Sequence, residues 1–163
     1  MFKSINRLRH RHGFGIHSPF AYRFVTEVLC QPLPYYGYAE IGRDRRLRLL
    51  LRLAAYFAPE RVAVFADDDS LLRRAASRGY SKIEYSPDSP DMIIADDLDT
   101  APERYLPLLA EGGTHALIVN ASPTLRQRLA SALSCGMIFD NGQGTIVVAG
   151  FRHLPRQDFD VKF

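Results

Sequence analysis

The stretch RVAVFADDDSLLRRAASRG, residues 61–79, decides the fold prediction. Its first part, RVAVFA, is an apolar run that predicts a buried strand, and its last part predicts a short amphipathic helix. Ser70 can cap this helix, and Gly79 can end it. Many nucleotide-binding domains begin with such a unit of strand, turn and helix. The turn, however, carries the three aspartates Asp67–Asp69, where a cofactor-binding loop carries glycines.

Short strands and helices continue to alternate toward the C-terminus. DMIIADD, residues 91–97, predicts a strongly buried strand, and GGTHALIVN, residues 112–120, predicts a glycine turn followed by another strand. Residues 100–110 lie between them and predict a helix that Pro107 kinks or shortens. This alternation predicts an α/β fold, a three-layer αβα sandwich with a mostly parallel sheet.

The last third of the chain adds a helix and a hairpin. The sequence after Ser122 predicts a helix, with the Ser122 side chain as its N-cap. MIFDNGQGTIVVAGF, residues 137–151, predicts an antiparallel hairpin around Asn141-Gly142. We therefore expect the parallel part of the sheet to be followed by an antiparallel C-terminal edge.

Residues 1–58 predict a helical segment that packs on the α/β core formed by residues 59–163. Ser18 and Pro19 suit the start of a helix, and Phe20, Phe24 and Val28 then recur at helical spacing. A second amphipathic helix is predicted over residues 43–57, with leucines on one face and arginines on the other. The length of 163 residues suits a single domain overall.

Polar residues follow three of the predicted strands directly. Because right-handed crossovers put the carboxyl ends of parallel strands on one rim, we expect these side chains to lie together. Ligands bind at that rim in open α/β sheets. The rim residues are Asp67, Asp68, Asp69, Asp96, Asp97 and Asn120.

Composition favours a globular protein of the cytoplasm. No apolar run approaches the roughly 20 residues that cross a bilayer. No apolar segment follows the basic N-terminal residues, so we expect no secretory signal. Cys30 and Cys135 stand far apart without metal-type partners, which favours a reduced compartment.

Charge is unevenly distributed along the chain. Residues 1–61 contain 11 Lys/Arg and 4 Asp/Glu, a net charge of +7, whereas residues 62–163 have a net charge of −4. This asymmetry favours either packing of the two halves on each other or an anionic partner. Because the basic half contains no recognisable nucleic-acid motif, we do not expect nucleic acid as the main partner.

Several stretches, in the same order along the chain, resemble bacterial class I S-adenosylmethionine-dependent methyltransferases of the O-methyltransferase-like kind. HGFGIHSPFAYRFVTEVL is similar to the N-terminal helical segment of one branch, and YLPLLAEGGTHALIVN to the helix, Gly-Gly turn and strand after the fourth strand. VVAGFRHLPRQDFDVKF is similar to the end of the same branch, and YFAPERVAVFA to the entry into the first strand. These stretches cover residues 12–29, 56–66, 105–120 and 147–163.

The resemblance implies a reduced Rossmann-like methyltransferase core with S-adenosylmethionine as cofactor. Asp67, Asp68, Asp96 and Asn120 would lie at the cofactor. For methyl transfer to an oxygen or nitrogen acceptor, Asp97 or His17 would act as the base.

The chain also departs from the family at the cofactor turn. No glycine follows the first strand until Gly79, and only about 25 residues separate that strand from DMIIADD, fewer than the family uses. One strand–helix unit is therefore missing, and we expect a degenerate, non-catalytic protein. Its expected partner is a second copy of itself or an active methyltransferase relative. We do not expect it to bind a membrane.

Two other classes of function stay open from the residues alone. The acidic turn also resembles that of response-regulator receiver domains, which implies a divalent-metal site at Asp67, Asp68 and Asp96, with Asp96 as phospho-acceptor. Alternatively, the arginines of the second helix predict an anion- or RNA-binding accessory protein. These arginines are Arg43, Arg45, Arg46, Arg48 and Arg52.

Overall fold

Seven strands form one sheet in the computed structural model, which describes residues 15–98 and 100–163. The strands are β1 (Arg61–Phe65), β2 (Glu84–Tyr85), β3 (Met92–Asp96), β4 (His115–Val119), β5 (Met137–Asp140), β6 (Thr145–Ala149) and β7 (Gln157–Asp160). The helices are α1 (Pro19–Phe24), α2 (Tyr38–Ile41), α3 (Arg45–Phe57), α4 (Ser70–Gly79), α5 (Leu106–Ala110) and α6 (Leu125–Ala132). A π-helical turn (Val25–Leu29) continues α1, and a 3-10 turn (Pro102–Arg104) precedes α5.

The sheet is mostly parallel and open, with the strand order β2-β1-β3-β4-β6-β5-β7. Strands β1 to β4 run parallel to one another. Strand β6 is inserted antiparallel between β4 and β5, and β7 runs parallel to β5. The α/β class, the mostly parallel sheet and the C-terminal hairpin predicted from the sequence are therefore confirmed. The prediction that this hairpin forms an antiparallel edge is wrong: β6 lies inside the sheet, and the edge is β7, which the sequence does not predict and which runs parallel to β5.

Successive residues of the strands belong to two separate hydrophobic clusters. Val62, Met92, Ile94, Leu117 and Phe139 share one cluster with α1, α3 and α4. Alternate strand residues share the other with α5 and α6, and they include Ala63, Ile93, Ala95, Ile118 and Ile138. Since successive side chains of a strand point to opposite faces, both faces of the sheet are buried, which explains the nearly continuous apolar runs.

The N-terminal helices begin at the side chains that cap them. The Ser18 side chain accepts a hydrogen bond from the backbone of Ala21 at 3.3 Å, as predicted, and Pro19 starts α1. The side chain of Asp44 caps α3 by accepting from the backbone of Arg46 at 2.7 Å. With Asp44 as its N-cap, α3 begins at Arg45, two residues after the predicted start at residue 43. The opening of the stretch that resembles methyltransferases, residues 12–14, lies outside the described residues.

Helix α4 packs closely on α3 because it ends in a glycine. A Cβ atom on Gly79 would lie 2.2 Å from the carbonyl oxygen of Leu51 and 2.8 Å from the Cβ of Ala54. Such distances are far below van der Waals contact, so only glycine allows this approach. Gly79 ends the helix as predicted.

Prolines shorten the segment before β4, as predicted. Pro102 begins the 3-10 turn, and Pro107 lies at the start of α5, which is only five residues long. Tyr105, between the two, is completely buried. Among the described helices, none has both the length and the apolar character needed to cross a membrane.

Candidate functional site at the carboxyl rim of the sheet

Asn120 joins the carboxyl ends of β3 and β4. Its Nδ2 donates to both carboxylate oxygens of Asp96, at 2.9 and 2.8 Å. Its Oδ1 accepts from Nη1 of Arg46 at 3.2 Å. The backbone N–H of Leu98 donates to the same carboxylate at 3.1 Å. Both oxygens of Asp96 are therefore engaged in holding the rim together.

Asp97 ties the rim to the segments before and after β4. Its Oδ1 accepts from the hydroxyl of Tyr105 at 2.8 Å, and its Oδ2 accepts from the backbone N–H of Ser122 at 2.7 Å. Burial, together with the hydrogen bond to Asp97, raises the pKa of Tyr105, so its hydroxyl stays protonated and donates. Asp97 thus organises the loop that leads into α6.

The prediction that Ser122 caps α6 is wrong. Thr124 occupies the N-cap position and makes no side-chain cap, and the helix starts at Leu125. The physical reason is the bond from the backbone of Ser122 to Asp97, which holds this residue at the rim one turn before the helix.

The acidic turn between β1 and α4 starts the helix. Oδ1 of Asp68 accepts from the backbone N–H and the hydroxyl of Ser70, at 3.2 and 2.8 Å. These hydrogen bonds lower the pKa of Asp68. Asp69 occupies the N-cap position without a side-chain cap bond and pairs with Nε of Arg73 at 2.6 Å. Asp68 and Asp69 therefore make local contacts, and Ser70 is the first helical residue rather than the cap predicted.

His17 and Asp97 lie toward opposite ends of β4. His17 is exposed just before α1. The ring centre of Phe20 in α1 lies 4.8 Å from that of Phe151. The ring centre of Phe151 lies 5.0 Å from that of His115, the first residue of β4. The backbone N–H of Asp97 instead donates to Val119, the last residue of β4, at 3.0 Å. Four residues of strand span about 13 Å. The two candidate bases, His17 and Asp97, therefore lie apart and do not belong to one site.

The rim residues of the described chain form no metal-type cluster. No group of three or more His, Cys, Asp or Glu side chains within residues 15–98 and 100–163 is arranged to hold a metal ion. The candidate ligand Asp96 directs both oxygens at the amide of Asn120. The set Asp67, Asp68 and Asp96 is thus not assembled as a metal site.

A groove of about 760 Å³ opens beside the rim. It lies between α3, the end of the π-helical turn, the loop from β5 to β6 and the residues after β7. Asn120 is the one rim residue that lines it, and none of the rim aspartates does. Its polar lining consists of Gln31, Tyr38, Arg45, Arg46, Arg48, Arg52, Asn120, Asn141, Gln143, Thr145 and Lys162. We call this feature the arginine groove.

Sequence reasoning found only one wall of the arginine groove. Four of the five arginines proposed for anion binding line it, and the exception is Arg43. The opposite wall, with Asn141, Gln143 and Lys162, was missed. Its only sequence signal is the polar hairpin loop, which does not reveal its neighbours.

A scan against protein-family models and searches of curated proteins and solved structures gave no match to this chain.

Proposed function

We propose that this protein is a class I methyltransferase-like protein that has lost its cofactor-binding turn and acts without catalysis. It would serve as a binding module or as the partner of an active relative. The proposal includes a three-layer, reduced Rossmann-like core in which β1 to β4 are what remains of the parallel half. The sheet order and the two hydrophobic clusters support this interpretation.

The turn between β1 and α4 is the observation that carries the proposal. A cofactor at this place needs backbone that it can approach closely, which glycine provides. Here, Asp68 bonds to Ser70 and Asp69 pairs with Arg73, so the side chains of the turn build the start of α4. The neighbouring Asp96 is likewise bound to Asn120. The contacts of Asp68, Asp69 and Asp96 thus support a structural role for these side chains in place of cofactor binding.

Titration calorimetry with S-adenosylmethionine and S-adenosylhomocysteine tests the proposal. We expect no saturable heat for either ligand up to millimolar concentration, because the turn lacks the close backbone contact. Saturable binding of either compound with a dissociation constant below about 100 µM, roughly −5.5 kcal/mol, would overturn it.

Two matched variants locate any binding that does occur. Asp68→Ala removes a turn acid, and Asp88→Ala removes an exposed aspartate in the loop before β3. Loss of the heat in the first variant alone would identify the turn as a working cofactor site and contradict its proposed structural role.

A further inference from the structure

Positive charge is concentrated in the arginine groove. Four arginines and Lys162 line it, and among residues 15–98 and 100–163 no aspartate or glutamate side chain does. Among these five cations, only Arg46 comes within 4.0 Å of a carboxylate of the described chain, with its Nε 3.8 Å from Oδ1 of Asp44. Among the described residues outside the groove, six arginines form ion pairs: Arg23, Arg73, Arg78, Arg126, Arg128 and Arg156.

The five cations divide into two groups by what they contact. Nε of Arg48 donates to the carbonyl of Gly42 at 2.8 Å, and its guanidinium lies 4.7 Å from the ring centre of Tyr38. Arg52 donates to the carbonyls of Val28 and Leu29 and to the hydroxyl of Tyr38. These two arginines therefore hold the end of the π-helical turn and α2 against α3.

The remaining cations are available to a ligand. Within the described part of the chain, Arg46 donates one side-chain hydrogen bond, to Asn120, so most of its five donors are unused there. The side chains of Arg45 and Lys162 make no hydrogen bond or ion pair with residues 15–98 or 100–163, and both residues are exposed. Like charges that face one concavity raise its positive potential and attract anions.

We propose that the arginine groove binds a small phosphorylated ligand, with Arg45, Arg46 and Lys162 around the phosphoryl group and the amides of Asn141 and Gln143 around the rest. Arginine forks suit phosphoryl oxygens because they donate paired hydrogen bonds. The groove volume of about 760 Å³ lies in the range of small-molecule sites. This proposal is based only on the residues of the groove. It does not depend on the proposed loss of the methyltransferase cofactor-binding turn.

A small ligand fits these contacts better than a nucleic-acid strand. Binding of single strands combines an extended basic track with aromatic rings on which bases stack. Two aromatic residues of the described chain line the groove: Tyr38 lies beneath Arg48 and bonds to Arg52, and Phe163 is partly buried against the hydrophobic cluster of α1, α3 and α4. The cations converge on one concavity and do not follow a track.

Calorimetric titration with inorganic pyrophosphate tests the proposal, with sodium chloride of equal ionic strength as the reference. We expect saturable binding to the full chain. The double variant Arg45→Gln/Arg46→Gln should weaken it about 10-fold or more, since hydrogen bonds to charged groups contribute strongly. The control Arg43→Gln/Arg61→Gln removes the same charge at residues that do not line the groove, and should change the affinity less than about 2-fold.

Three outcomes would overturn the proposal. The first is the absence of saturable binding above the chloride reference, and the second is equal weakening in both double variants, which would indicate net charge alone. The third is tighter binding of a single-stranded RNA 12-mer than of pyrophosphate, with a steep loss of affinity as salt rises, which would identify a nucleic-acid surface. Circular dichroism and thermal unfolding of both double variants verify that they fold.

Discussion

At the scale of single residues, Asn120 shows how one side chain can serve both the fold and the site. Its φ of +52° lies in the left-handed region, which asparagine tolerates better than most residues. Its amide donates to Asp96 and accepts from Arg46, so it links β3, β4 and α3. The order of Arg46 in the groove therefore depends on a residue at the rim.

His115 is a second residue whose surroundings determine its chemistry. Its ring stacks on Phe57, with 3.7 Å between ring centres, and its Nδ1 accepts from the backbone N–H of Gly150 at 3.1 Å. Burial lowers the pKa of His115 to about 4, although the charge of Asp91 opposes this. The folded protein therefore holds His115 neutral at physiological pH.

We predict that His115 makes the protein less stable in mild acid. In the unfolded chain His115 takes up a proton near pH 6.5, whereas in the folded chain it does so only near pH 4. The contribution of neutral His115 to the free energy of unfolding is therefore complete above pH 6.5 and is lost as the pH falls toward 4. The loss is at most about 3 kcal/mol. Denaturant unfolding at pH 7.5 and 4.5 measures it.

The matched variants for this prediction are His115→Gln, which does not titrate, and His153→Gln at an exposed histidine. The wild type and His153→Gln should lose more stability between the two pH values than His115→Gln does. An equal loss in all three proteins would contradict the assignment of this acid sensitivity to His115.

At the scale of elements, the contact between α3 and α4 depends on the missing side chain of Gly79. In an exposed helix, replacing glycine with alanine stabilises by about 1 kcal/mol. Here the added Cβ would meet the backbone of Leu51 and the side chain of Ala54. Because backbone cannot move aside as a flexible side chain can, the two helices must separate.

We therefore predict that Gly79→Ala destabilises the protein by about 1–3 kcal/mol, the usual cost of overpacking. Guanidinium unfolding monitored by circular dichroism measures the change. Arg78→Ala is the control in the same turn of α4, since it removes only a half-exposed ion pair with Glu40 and should cost less than about 1 kcal/mol. A Gly79→Ala protein as stable as the wild type would contradict the close approach.

Among the features of the molecule, the helices and strands were predicted best from the sequence. The apolar runs of β1, β3 and β4 and the leucine face of α3 identify these elements because burial imposes the pattern locally. Strand β7 was not predicted, because QDFD has no continuous apolar run. Its edge position is held instead by pairing with β5 and by Arg126, which bonds to Asp140 and Asp160.

At the scale of the whole molecule, the N-terminal helices and the sheet share one hydrophobic cluster. Phe24 of α1 is completely buried, and its ring centre lies 5.1 Å from that of Phe139 in β5 and 5.5 Å from that of Phe57 in α3. Residues before and after position 59 are thus joined by a common core rather than by a surface contact.

From this core we predict a single cooperative unfolding transition in calorimetry, with coincident loss of secondary and tertiary signals. Phe24→Ala should lower the midpoint of that transition, because a buried aromatic truncation costs about 3–5 kcal/mol. Tyr22→Ala, at a side chain on the exposed side of the same helix, should leave it almost unchanged. Two separate transitions would contradict the shared core.

The amino-acid sequence was sufficient to predict the class of the fold, the alternation of strands and helices, and the position of Asp96, Asp97 and Asn120 at one rim. Those features follow from local burial patterns and from the rule that parallel strands end on one edge. The contacts of these residues could not be predicted: Asp96 and Asp97 bond to other groups of the protein, and the arginines of α3 share a groove with Asn141, Gln143 and Lys162. The reason is the strand order, in which β6 is inserted between β4 and β5. As a result the backbone N–H of Ala121 donates to the carbonyl oxygen of Gly144 at 3.0 Å. No local sequence pattern specifies such a contact between remote segments.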